Sequence, residues 1–141
     1  MASNAPYADR TKVPVERSKA EIEQTLARYG ATGFGYMTQN GASVVMFEAH
    51  GRRIRFSLPR PQERDASKYA AEERRLWRSL AMAIKSKLDI VRSGISTFEA
   101  EMLPYSMLPD GRTFYEWSEE CAERLNAGLM PPMLPGSKDA A

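Results

Sequence analysis

An α+β fold is predicted for this chain: a short helix, a three-stranded antiparallel meander, a long helix packed on one sheet face, and a helical C-terminal subdomain. Three observations predict it. Hydrophobic residues alternate with a period of two from Thr32 to Leu58, and then recur near every 3.6 residues from Ser67 to Arg92. Two dipeptides that suit tight hairpins, Asn40-Gly41 and His50-Gly51, divide the first of these regions. Three Ser or Thr residues stand three positions before a glutamate at the start of helical patterns. At 141 residues the chain has the length of a single domain. Its boundaries are read as a flexible arm over 1–14, the domain over 15–128 and a Pro-rich tail over 129–141.

The arm is polar, carries Pro6 and Pro14, and has no periodicity. Ser18 with Glu21 is read as a capping box opening the first helix, with Ile22, Leu26 and Tyr29 on one face and Gly30 as its left-handed stop. In the meander, a turn at Asn40-Gly41 sets Tyr36 opposite Val45 and Phe34 opposite Phe47. A turn at His50-Gly51 sets Phe47 opposite Ile54 and Val45 opposite Phe56. The two registers agree, so Phe34, Tyr36, Val45, Phe47, Ile54, Phe56 and Leu58 share the core face. The other face carries Gly35, Met37, Val44, Met46 and Arg55, with Glu48 opposite Arg53.

After a linker through Pro59, Pro61 and Asp65, a helix from Ser67 to Arg92 carries Leu76, Trp77, Leu80, Ile84, Leu88 and Val91 within about 120° of arc, a stripe that must pack on the sheet. Gly94 ends it. Ser96 with Glu99 is read as a second capping box, before a short helical turn with Phe98, Met102 and Leu103. Pro109-Asp110-Gly111 makes a turn, and Thr113 with Glu116 opens a last helix carrying Trp117, Cys121 and Leu125.

Composition bounds function. One cysteine excludes an intrachain disulfide or a Cys-rich zinc site, and no apolar run approaches the roughly 18 residues of a membrane span. With no signal-peptide pattern at the N-terminus, a cytoplasmic protein is expected. The net charge of +2 hides an asymmetry: residues 1–97 hold 17 Lys and Arg against 10 Asp and Glu, a balance of +7, and residues 98–141 hold 3 against 8, a balance of −5. Such polarity suits an anionic partner for the first part.

Three candidate surfaces follow. Arg74, Arg78, Lys85 and Arg92 fall within about 40° of one another on the long helix, a line about 27 Å long that stands clear of the apolar stripe and is expected to stay wet, at a spacing suited to backbone phosphates. Arg52, Arg53 and Arg55 on the last strand, with Arg60 and Arg64 beyond, form a second basic concentration. The open sheet face lacks the aromatic pair of a base-stacking platform. Its Met37, Val44 and Met46 instead suit an adaptable protein interface.

Catalytic candidates are sparse, and neither an enzyme nor a cofactor or metal is expected. The sole histidine, His50, sits at a predicted hairpin tip, and Cys121 lies on the apolar side of a helix with no activating base beside it. Glu116, Glu119, Glu120 and Glu123 form an acidic helix face without the histidines or spaced loop of a metal site. Asp110-Gly111-Arg112-Thr113 lacks the lysine and further glycines of a phosphate loop.

Several motifs carry a resemblance: Leu76-Trp77-Arg78, Ile84-Lys85-Ser86-Lys87-Leu88, Ser93-Gly94-Ile95-Ser96-Thr97-Phe98-Glu99 and Leu108-Pro109-Asp110-Gly111-Arg112-Thr113, with Val13-Pro14-Val15 and Tyr29-Gly30-Ala31 earlier. Together they resemble a family of single-domain proteins encoded by tailed phages and prophages. That resemblance implies an origin and an architecture, and transfers no functional residue. The leading expectation is a phage accessory protein that binds nucleic acid through the basic helix line and strand. The alternative is a module that binds a host or phage protein, or inhibits a host or defence factor in the host cytoplasm, through the open sheet face and the acidic last helix. The exposed edges of a three-stranded sheet call for the N-terminal arm to pair with one of them, or for two chains to meet edge to edge or through Met37, Val44 and Met46, and a homodimer is the favoured expectation.

Overall fold

The computed structural model describes residues 11–130, so the expectations for the first ten residues of the arm and for the tail beyond Met130 lie outside the described residues. The order is α1 (Val15–Tyr29), β1 (Gly33–Gln39), β2 (Ala42–Ala49), β3 (Arg52–Leu58), α2 (Ala66–Arg92), α3 (Phe98–Met102), a 3-10 turn (Leu103–Tyr105) and α4 (Phe114–Asn126). The strands form one antiparallel sheet in the order β1-β2-β3, which is the α+β arrangement the periodicities predict.

Both hairpins adopt the predicted turns. Asn40 and Gly41 have φ of 52° and 81°, His50 and Gly51 of 52° and 71°, so both residues of each turn are left-handed, as the type I′ geometry requires. The register follows: Tyr36 faces Val45, Phe34 faces Phe47, Phe47 faces Ile54 and Val45 faces Phe56. At Gly41 the turn is also packed, because a Cβ there would lie 2.6 Å from the Tyr69 hydroxyl and 2.8 Å from Arg60 Cγ.

Val45, Phe47, Ala49, Ile54 and Phe56 join Trp77, Leu80, Ala81, Ile84 and Leu88 of α2 in one continuous core, with Phe98 and Met102 at one end. Ile22 and Leu26 belong to the same cluster, so α1 and α2 roof the inner sheet face side by side. At the ends of the predicted stripe, Leu76 and Val91 are only half-buried. Trp117 and Cys121 are buried outside this cluster, with the Phe114 ring 5.3 Å from that of Trp117.

Two of the three predicted capping boxes are corrected. α1 starts at Val15, with Pro14 at its N-cap and no side-chain cap, and Ser18 lies buried within the helix. α3 is capped by Thr97, whose hydroxyl accepts from the Ala100 N–H, while the Ser96 hydroxyl donates to Glu101. The physical reason is common to both: a hydroxyl caps only from a residue with extended backbone at the helix boundary, and the chain reaches that boundary elsewhere. The Thr113–Glu116 box is present in full.

Candidate interaction surfaces

Alternation along the strands places Gly33, Gly35 and Met37 of β1, Val44, Met46 and Glu48 of β2, and Arg53 and Arg55 of β3 on the face turned away from α1 and α2. Along β1 and β2 the described helices leave this face open: Met37 is 59% exposed and Met46 44%, and Val44 is half-buried. Gly33 and Gly35 contribute no side chain. A shallow groove of about 370 Å³ results, lined by Gly33, Gly35, Met46, Glu48, Arg53 and Met107. A second hollow of about 530 Å³ continues past Arg53 and Met107 towards Arg52, Gly51 and the 106–111 turn.

The far wall comes from distant sequence. Ile54 bridges to Ser106, and the Met107 N–H donates to the Arg53 carbonyl at 2.9 Å, so this short segment runs beside β3 and carries Met107 to the groove. The Leu108–Gly111 turn then returns the chain to Thr113, where its N–H donates to Glu116 Oε1 at 2.8 Å and its hydroxyl accepts from the Glu116 N–H at 3.2 Å.

The arginines on β3 differ in availability. Arg53 lies beside Glu48 across the strands, Nε to Oε1 3.1 Å, an exposed pair worth a few tenths of a kcal/mol. Arg55 is drawn under the start of α4: it donates to the Gly111 carbonyl at 3.2 Å and pairs with Glu116. The Thr113 N–H, first, and the Arg55 guanidinium hold the Glu116 carboxyl below the usual carboxylate range. Arg55 therefore clamps α4 to the sheet. Arg52 stays exposed at the hairpin tip.

The basic line of α2 turns towards α1. Arg78, only 12% exposed, pairs with Glu21, and its hydrogen bond holds the Glu21 carboxyl below the usual range despite some burial. The expectation of a wholly wet line is thus corrected: side-by-side packing of the helices draws Arg78 into their seam. Arg74 is half-buried. Lys85 and Arg92 remain exposed and join Arg28, Thr25 and Asp89 around a small hollow over Tyr29, where Arg92 donates to the Arg28 carbonyl at 3.4 Å.

His50 sits at its hairpin tip as expected but also packs, its ring 4.6 Å from that of Phe98 and 5.5 Å from that of Tyr29. The Cys121 thiol donates to the Trp117 carbonyl at 3.6 Å within buried surroundings. Of the acidic face on α4, Glu116 and Glu120 are paired with Arg55 and Arg112. Among the described residues, no group of three or more His, Cys, Asp and Glu could hold a metal ion, and no helix is long and apolar enough to cross a membrane.

Sequence reasoning placed Met37, Val44 and Met46 on the outer face, where Met46 lines the groove, and did not point to Gly33, Met107 or Arg28. The Gly33-Phe34-Gly35 alternation signals a bare strip on the outer face. Met107 and Arg28 arrive through tertiary contacts and carry no local signal. No family model, curated protein or solved structure matches the chain.

Proposed function

We propose that this protein is a binding module whose uncovered sheet face takes an extended segment of a partner protein, in keeping with a phage accessory protein acting on a host or phage factor. The observation that carries this reading is the groove itself, in which Gly33 and Gly35 leave β1 bare beside Met46 of β2, with Met107 walling the far side beyond β3. Glycine within a strand weakens it unless something approaches the backbone closely, and methionine side chains repack around varied apolar groups. Arg52, exposed at the second hollow, favours an acidic residue at that end of the segment.

Displayed random peptides selected on the wild type, then titrated against Gly33→Val and Met46→Gln, test it. The atoms nearest a Cβ at Gly33 belong to the Glu48 side chain, at 3.7 Å or more, so Gly33→Val fills the floor at ordinary contact distance. Selected peptides are expected to lose about tenfold or more in affinity, roughly 1.4 kcal/mol, while the melting temperature holds. Failure to enrich any peptide, or peptides indifferent to both variants, rules the reading out.

Nucleic-acid binding is the second reading, and one observation favours it: Arg28, Lys85 and Arg92 gather around the hollow over Tyr29. Duplex binding that weakens with salt at about 0.9 per phosphate contact, and that Lys85→Gln flattens, would favour it over the first.

A further inference from the structure

The two edges of the sheet are built differently. β3 carries Arg52, Arg53 and Arg55, and part of its outer edge is bridged by Ser106 and Met107. β1 reads Gly-Phe-Gly-Tyr-Met-Thr-Gln: seven residues with no charge and no proline, paired on one side only among the described residues. Because the Asn40-Gly41 turn closes on Gln39 and Ala42 as a hydrogen-bonded pair, the odd residues of β1 bond to β2. The N–H and C=O groups of Phe34, Tyr36 and Thr38 therefore point to the free edge. Among the described residues, β1 itself carries none of the charges or prolines that usually protect an edge strand, and on its inner face the Lys19 ammonium of α1 lies 4.4 Å from the centre of the Tyr36 ring.

We infer that β1 pairs antiparallel with β1 of a second copy about a two-fold axis at Tyr36, joining two three-stranded sheets into one of six. Among two-fold registers that match outward-pointing groups on both strands, the one centred on Tyr36 pairs all seven residues. It sets Phe34 opposite Thr38 and Tyr36 opposite its own copy, continuing the inner face. On the outer face it sets Met37, 59% exposed, opposite Gly35, where a Cβ would have nothing within 4 Å. A large side chain thus meets an empty position, twice, by symmetry. Centring the pair on Gly35 or Met37 instead sets two empty positions or two exposed methionines against each other on the outer face and leaves residues unpaired. Tyr36, 47% exposed at the rim of the core, is covered by its symmetry mate in the same arrangement.

Met37 of the second copy then closes the β1 side of the groove described above. The pairing itself does not rest on what the groove binds, and its test reads mass and amide exchange with no ligand present.

Sedimentation equilibrium and residue-resolved amide exchange of the full chain, near 100 µM and near 1 µM, and of Met37→Lys near 100 µM, decide it, because pairing follows mass action. The substitution lies on an exposed side chain and leaves the core untouched. Expected is a dimer at the higher concentration, with the Phe34, Tyr36 and Thr38 amides exchanging at least about tenfold more slowly than in the Met37→Lys monomer. Three outcomes overturn the inference. They are a monomer near 100 µM with these amides open, a monomer with them protected by another part of the same chain, and a dimer in which they exchange freely, which would pair through another face.

Discussion

The Ser18 hydroxyl is buried with no hydrogen-bond partner among the described residues, whereas the Thr113 hydroxyl accepts from the Glu116 N–H at 3.2 Å. A buried polar group without a partner carries a desolvation cost of about 1–3 kcal/mol, and a helix cap contributes about 1 kcal/mol. Opposite outcomes follow for the same truncation. Ser18→Ala is expected to leave stability unchanged or raise it, and Thr113→Ala to lower it by about 1 kcal/mol, both read from urea unfolding midpoints. Loss of stability in Ser18→Ala comparable to that in Thr113→Ala would show that the Ser18 hydroxyl is satisfied. The pairs look alike in sequence because spacing specifies only that two side chains share a turn. Whether the hydroxyl stands at the boundary depends on where the chain turns in, and Pro14, with its extended backbone, does that for α1.

At the scale of elements, α2 shows how far periodicity reaches. Trp77, Leu80, Ile84 and Leu88 are buried as the stripe requires, and Ala81 fills the arc between them. Leu80→Ala is expected to cost about 2–5 kcal/mol, and Met82→Ala, on the exposed side of the same helix, less than about 0.5 kcal/mol. Equal thermal shifts for the two would contradict the assigned face. The hairpins were legible for a related reason. A two-residue turn with positive φ at both positions pins the register of every residue pair that follows, so the core and outer faces of the sheet could be written down from Asn40-Gly41 and His50-Gly51. Periodicity does not say which elements share a face. α1 proves to roof the sheet beside α2, and the Ser106–Met107 segment runs along β3.

Over the whole molecule, ion pairs tie separate elements together. Arg78 on α2 holds Glu21 on α1, and Arg55 on β3 holds Glu116 on α4. Glu21 has a carboxyl pKa lowered by Arg78, so its contribution is fully present above the unfolded carboxylate value of about 4.3 and fades as pH falls through the lower folded value. Since Glu21 is 38% exposed, solvent screening limits the pair to about 1 kcal/mol. Glu21→Gln is therefore expected to be less stable than the wild type by about that amount above pH 5, with the gap closing on acidification below pH 4. A gap independent of pH would mean that Gln at this position disturbs packing and that the charge pair contributes nothing. Arg78→Gln is expected to destabilise similarly, and so is a poor probe of phosphate contacts.

By itself, the sequence determined what repeats or turns locally: the α+β class, both hairpin registers, the buried side of α2 and the apolar character of Met37, Val44 and Met46 on the outer face. The hairpin register already set Glu48 beside Arg53, but tertiary structure alone decided which charges meet between elements distant in sequence. Glu21 and Arg78 stand 57 residues apart, and Arg55 and Glu116 61 apart. It likewise decided that Met107 closes a groove floored by Gly33 and Gly35. The reason is that period and turn chemistry fix a side chain's direction relative to its own backbone. The partner across an interface depends on how two elements cross, and that is set by the shape of the packed core they share.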